Sequence, residues 1–136
     1  MKYIDHINFI MTRDGVSCEE LASRTGIGRN TMIGYLKQIS SPTTASAKRM
    51  AEVLGYDLVI RKKNENGDIL LERDITDFAT CLNECGLSRA ELREMFHMSE
   101  GGIRSCITGR TIPKIDRLTG FLNRLGYSAA LKKKMI

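Results

Sequence analysis

The sequence predicts a mainly all-α protein: two tandem copies of one small helical unit joined by a β-hairpin. Three observations predict it. Residues 4–63, shifted by 71 positions, lie on residues 75–134 without a gap, with identities at Ile4/Ile75, Gly15/Gly86, Ser17/Ser88, Glu20/Glu91, Leu21/Leu92, Pro42/Pro113, Leu54/Leu125, Gly55/Gly126, Tyr56/Tyr127, Lys62/Lys133 and Lys63/Lys134. These matches fall on helix caps, turn glycines, a loop proline and core leucines, which are positions that carry structural information. Apolar residues also recur at helical spacing within the copies, punctuated by cap and turn residues. Between the copies, LVIRKKNENGDILLERD has two aliphatic and β-branched stretches around Asn66-Gly67. The expected organisation is a first helical domain over 1–57, a hairpin connector over 58–73 and a second, diverged domain over 74–136.

In the first copy, Ile4, Ile7, Ile10 and Met11 repeat at helical spacing up to Gly15, whose missing Cβ suits the left-handed residue that closes a helix. Ser17 followed by Glu20 is a capping box, so a second helix starts near Cys18 and runs through Leu21 and Ala22 to Thr25, where Gly26 breaks it. After a turn of about three residues, Ile27 leads into a third helix carrying Met32, Tyr35 and Leu36. Ser41-Pro42 precede a fourth helix from about Thr44 to Leu54, closed by Gly55.

The stretch VSCEELASRTGIGRNTMIGYLKQ resembles the helix-turn-helix of the lambda-repressor-like (Cro/CI, or XRE) family of DNA-binding regulators. Leu21, Ala22, Gly26, Ile27, Met32 and Tyr35 fall where that motif needs a core residue, a small residue at the helix crossing, a turn glycine and three further core residues. The resemblance covers about fifty residues, through the fourth helix. It implies that the third helix lies in the major groove of double-stranded DNA with Gly28, Arg29, Asn30, Ile33, Gly34 and Lys37 facing outward. Arg29 can pair bidentately with guanine, Asn30 with adenine, and Ile33 can meet a thymine methyl. Gly34 would let the helix approach closely, while Lys37, Thr31, the amides at the helix start and, further out, Lys48 and Arg49 would take phosphates.

The second copy keeps the frame with different equipment. Ser88 and Glu91 repeat the capping box, and Leu92, Met98, Ile103 and Cys106 occupy core positions. His97 replaces the turn glycine and can adopt positive φ at some cost, and Arg93 replaces the small residue at the crossing and must snorkel outward or push the helices apart. Glu100 stands where Arg29 stood and would repel phosphates, and Gly101-Gly102 weaken the helix. Arg104, Ser105, Thr108 and Arg110 remain as candidate DNA contacts. Two readings stay open for this copy: a second DNA reader, or a surface for dimerisation or a protein partner through residues 74–136, with Met95, Phe96, Met98 and Ile103 as an adaptable apolar patch.

Asn66-Gly67 accepts the two left-handed positions of a type I′ turn, so a hairpin spans about Leu58 to Arg73 with Arg61 opposite Glu72. A two-stranded hairpin is marginal alone and should find a third strand in Ala129–Lys133 or in a second chain; a homodimer with the hairpin near its two-fold axis is therefore expected. The tail LKKKMI adds three lysines that can also reach phosphate.

Composition narrows the classes. The net charge of +5 is shared by both halves, ten basic and eight acidic residues in 1–68 and eleven and eight in 69–136, a modest basicity that permits nucleic acid without requiring it. No apolar run approaches the roughly 18 residues that cross a bilayer, and MKYIDHINF is not a signal peptide, so a cytoplasmic protein away from membranes is expected. Cys18, Cys81, Cys85, Cys106, His6 and His97 make no metal-ligand spacing, and no nucleophile, phosphate-loop or cofactor motif occurs, so no metal, cofactor or catalysis is expected. The leading expectation is a sequence-specific transcriptional regulator, a dimeric repressor of phage, mobile-element or toxin–antitoxin type. The alternative is a protein-binding inhibitor or antitoxin, such as a phage-encoded anti-defence protein, that grips its partner with the second copy and autoregulates with the first.

Overall fold

The computed structural model describes residues 2–135 as eight helices and a three-stranded antiparallel sheet. In chain order these are α1 (Tyr3–Asp14), α2 (Cys18–Thr25), α3 (Arg29–Leu36), α4 (Thr44–Val53), β1 (Tyr56–Lys63), β2 (Ile69–Asp74), α5 (Phe78–Glu84), α6 (Arg89–Phe96), α7 (Glu100–Ile107), α8 (Ile115–Arg124) and β3 (Ser128–Lys133). The 71-residue shift carries α2, α3 and α4 onto α6, α7 and α8 with identical bounds, and β1 onto β3 within one residue at each end. Only α5 departs, starting later than its counterpart α1 because β2 runs into it.

The backbone repeats as well as the elements. Left-handed residues occur in pairs 71 apart: Gly15 and Gly86, Gly26 and His97, Gln38 and Gly109, Gly55 and Gly126. Two of those pairs keep the conformation without keeping the glycine, so surrounding packing and capping impose it. His97 holds φ 53° and donates its N–H to the Arg93 carbonyl, just as Gly26 donates to Ala22. The capping box is complete in the second copy, whereas in the first Ser17 accepts from the Glu20 amide at 3.1 Å and the return bond from Glu20 is missing.

The hairpin register agrees with the sequence, Arg61 opposite Glu72 with their side chains 2.8 Å apart, but the turn differs from the type I′ expectation. The loop runs from Asn64 to Asp68 and only Gly67 within it has positive φ. The Asn64 side-chain oxygen accepts from the amides of Asn66 and Asp68, each at 2.9 Å, so the asparagine side chain organises a longer loop and the register slips by one residue between Lys62 and Lys63.

The third strand comes from the same chain. Sheet order is β2-β1-β3, with β1 in the centre. The β1–β3 register is unchanged when the copies are exchanged: Asp57↔Lys132 maps onto Arg61↔Ser128, Leu58↔Leu131 onto Ile60↔Ala129, and Val59↔Ala130 onto itself. A local two-fold axis therefore passes through the Val59–Ala130 pair. The same exchange relates two contacts where α4 and α8 begin, Ile115 N–H to the Pro42 carbonyl at 3.0 Å and the Thr44 hydroxyl to the Pro113 carbonyl at 2.7 Å. The hairpin's need for a partner strand is thus met internally, which removes the ground on which a second chain was expected.

One buried cluster joins the copies, with Ile7, Leu21, Met32, Met50 and Ile60 on one side and Phe78, Leu92, Ile103, Leu118 and Leu122 on the other. The copies fill equivalent space differently: Phe121 stacks on Phe96 at 4.3 Å where the first copy has Met50 and a buried Thr25 that bonds back to the Leu21 carbonyl. No helix among the described residues is long and apolar enough to cross a membrane.

Candidate nucleic-acid interface

The first copy's interface begins with how α3 is started. Gly28 gives it no side-chain cap, whereas Ser17, Thr43, Ser88 and Ser99 each cap a helix with a hydroxyl, so the first amides of α3 keep their donors for another acceptor. Gly28, Arg29, Asn30, Thr31 and Lys37 are all exposed, as expected. Among the described residues, Asn30, Thr31 and Lys37 make no side-chain hydrogen bond or ion pair. Arg29 donates from Nε and Nη2 to one Glu19 oxygen at 3.3 and 3.1 Å. That pair is well over half exposed, so it orients the guanidinium without holding it strongly. The Glu19 carboxyl is held below its ordinary value by its own backbone amide and then by Arg29.

Two members of the expected face sit differently. Ile33 and Gly34 are half-buried. A Cβ on Gly34 would lie 3.2 Å from the Ser40 hydroxyl, and the Gly34 carbonyl accepts the amides of Ile39 and Ser40 at 2.9 and 3.3 Å. A side chain there would press on the Ser40 hydroxyl where the chain folds back over the end of α3. Lys48 and Arg49 also have structural partners in place of open phosphate positions. Lys48 pairs with Asp74 at 2.9 Å, and Arg49 donates to the Thr25 carbonyl at the end of α2, at 3.0 Å. Burial alone would raise Asp74, but bonds from Thr76 and Lys48 outweigh it and lower its pKa. These roles depend on β2 and α2 arriving beside α4, which local spacing does not reveal.

In the second copy, Arg93 is exposed, the first of the two outcomes open to it at the helix crossing. Glu100, expected only as a repulsive charge, is the hub of a cluster: its carboxylate lies 2.7 Å from Arg89, 3.4 Å from Arg93 and 3.7 Å from Arg104. Arg89 first, then Arg93 and Arg104, hold that carboxyl below its ordinary value. Three guanidiniums thus share one carboxylate, leaving a local surplus of positive charge that residue-by-residue reading missed. Arg89 and Arg93 had no place in the expected site, and their signal was the spacing of 89, 93, 100 and 104 across two helices that meet at a short turn.

The other second-copy candidates divide. Arg104 and Arg110 are exposed, and Arg110 has no side-chain partner among the described residues. Thr108 is exposed but its hydroxyl donates to the Arg104 and Ser105 carbonyls at 3.0 and 3.2 Å, closing α7. Ser105 is half-buried, and its carbonyl takes the amides of Arg110 and Thr111. Ser99 caps the Gly102 amide, so α7 stays helical despite its glycine pair. The proposed apolar patch does not form, since Phe96 and Ile103 are buried and Met95 and Met98 are half-buried against the core.

Two of the three tail lysines are taken up by carboxylates, and Lys133 has no side-chain partner among the described residues. Lys132 pairs with Glu72 at 2.7 Å and Lys134 lies 3.7 Å from both Glu52 and Asp57. Among the described residues no group of His, Cys, Asp and Glu can hold a metal ion, and the four cysteines are free. Comparison of the chain with family models, with curated proteins and with solved structures found no match in any of the three.

Proposed function

We propose that this chain is a sequence-specific DNA-binding transcriptional regulator whose two helix-turn-helix units, α2–α3 and α6–α7, are of the lambda-repressor-like kind. The observation that carries the reading is the same two-helix unit set twice about an internal two-fold, with Arg29, Asn30 and Thr31 exposed in the first turn of α3 and Lys37 exposed at its C-terminal end. Arg29 and Asn30 supply base-edge recognition, while Lys37, Thr31 and the uncapped amides of α3 hold phosphates. A single chain then offers the paired geometry that related regulators obtain by dimerising, so a homodimer is not required for two half-sites. Because α3 and α7 differ in sequence, the two half-sites differ too. Selection from random double-stranded DNA tests this directly: enrichment of a site with two unlike halves is expected, and absence of any preferred sequence overturns the proposal.

The second reading, a protein-binding inhibitor or antitoxin using residues 74–136, is favoured by one observation. Glu100 occupies three arginines that a DNA reader would leave open. If Arg104→Ala leaves DNA affinity unchanged while Arg29→Ala lowers it, the second copy serves another partner.

A further inference from the structure

We infer that the outer edge of β3, with the groove beside it, docks an extended acidic segment of a partner protein as a fourth, antiparallel strand. The inference goes beyond the DNA-binding proposal and does not depend on it. The Lys134 amide donates to the Gly55 carbonyl at 2.9 Å, which sets the alternation of the β1–β3 ladder. Ala130 and Lys132 then face β1, and Ala129, Leu131 and Lys133 turn their amides and carbonyls to the open side, where no strand lies among the described residues.

A cavity of about 410 Å³ runs along that edge. Ala129, Ala130 and Leu131 line it consecutively; because successive strand residues point to opposite faces, a cavity touching three in a row follows the backbone edge. Tyr56 and Leu58 of β1 border it, and α1 contributes Arg13 and Phe9, a residue 63 % exposed.

The other half of the molecule demonstrates what such a seat takes. Exchanging the copies carries the outer edge of β3 onto the edge of β1 that β2 occupies, antiparallel, with the Ile75 amide bonded to the Leu58 carbonyl at 3.1 Å. There Glu72 meets Arg61 and Lys132, and Arg73 meets Glu84 on α5. On the open side the counterpart of Arg61 is Lys132, already held by Glu72, and that of Glu84 is Arg13, so a guanidinium faces the β2 Arg73 position there; its partners, Asp14 at 2.9 Å and the Tyr56 hydroxyl, form an exposed set that a docking carboxylate can join or displace. Lys133, exposed and without a side-chain partner among the described residues, adds a free positive charge to that edge, while Lys134 is taken up by Glu52 and Asp57. Two such edges from two copies would bring lysines together, which natural edge strands use to discourage self-pairing. The edge therefore suits an aliphatic and acidic strand with a carboxylate opposite Arg13.

The test uses the full chain and two labelled peptides, residues 67–75 of this chain as they stand and the same segment with its Arg73 replaced by Glu, titrated by fluorescence anisotropy. Saturable binding of the Glu peptide is expected, with the Arg peptide roughly tenfold weaker, and Arg13→Glu should invert that preference. Lys133→Pro removes an outward amide at an edge position that tolerates proline, so it should abolish binding while circular dichroism and the melting temperature hold. Hydrogen exchange should show new protection at Leu131 and Lys133. The proposal is overturned by no saturable binding, by equal affinity for the two peptides, by protection on β1 instead through displacement of β2, or by a dimer of the free chain that Lys133→Pro dissolves.

Discussion

If the proposed DNA-binding function holds and the Glu100 cluster lies against the duplex, Glu100→Gln should tighten DNA binding and steepen its salt dependence. Its carboxylate is shared by Arg89, Arg93 and Arg104, so neutralising it raises the local charge of that cluster from about two positive to about three. If one freed guanidinium gains one phosphate, the slope of log K against log salt steepens by about 0.9, which is about eightfold in affinity at 0.1 M salt and about fourfold at 0.2 M. The assay is an anisotropy titration of the selected duplex over a salt series, with Glu100→Asp as a charge-preserving control. A slope equal to that of the unsubstituted chain, or weaker binding by Glu100→Gln, would refute the argument that the cluster faces DNA. Acid acts in the same direction on this group. The carboxyl is lowered by its arginines, so its contribution to stability is complete above the ordinary glutamate range and fades as pH falls through the lowered value.

Arg29→Ala should cost about 1 to 3 kcal/mol of specific binding and relax one base preference, whereas Lys37→Ala should weaken all sequences alike and reduce the salt slope by about one unit, both read from the same titrations. His97→Gly should raise the thermal midpoint: relief of a left-handed L-residue is worth about 1 to 2 kcal/mol, offset by about 0.5 to 1 of added chain entropy. A lower midpoint for His97→Gly would mean that the ring makes a stabilising contact. Ala130→Pro, on the face of β3 bonded to β1, should lower the midpoint markedly in a thermal melt, while Lys133→Pro on the opposite edge leaves it nearly unchanged. Glu72 is held below its ordinary pKa by Lys132 and Arg61 across the sheet, and Asp74 by Thr76 and Lys48 against the opposing effect of burial, so an acid titration followed by circular dichroism should show stability present above about pH 4 and lost below it.

What could be read in advance was whatever local chemistry determines. Ser17, Gly15 and Gly26 mark helix ends because a hydroxyl near a bare amide and a residue without Cβ act within one turn. The hairpin register followed from the placement of Arg61 and Glu72 about one turn, even though Asn64 builds a different loop from the one expected. Long-range partners were not legible. Lys48 and Arg49 have the look of phosphate ligands until Asp74 and Thr25 arrive beside them, and Glu100 looks repulsive until the arginines of two helices converge on it. The duplication pointed to a strand at Ala129–Lys133, but only the fold decides that it pairs with its own counterpart. Periodicity describes which face a residue takes within its element, and a tandem repeat leaves open whether the copies sit side by side or interlock.

The central place of β1 has a consequence for synthesis. Its hairpin partner leaves the ribosome within a dozen residues, but the strand that completes its other side lies about seventy residues further along, roughly 4 to 14 seconds of translation. For that interval the nascent first half carries an open edge complementary to a strand not yet made. Neighbouring nascent chains on one messenger could then exchange their first halves before the second arrives. Slowing elongation between codons 75 and 127 should therefore increase interlocked, strand-exchanged assemblies, and speeding it should suppress them.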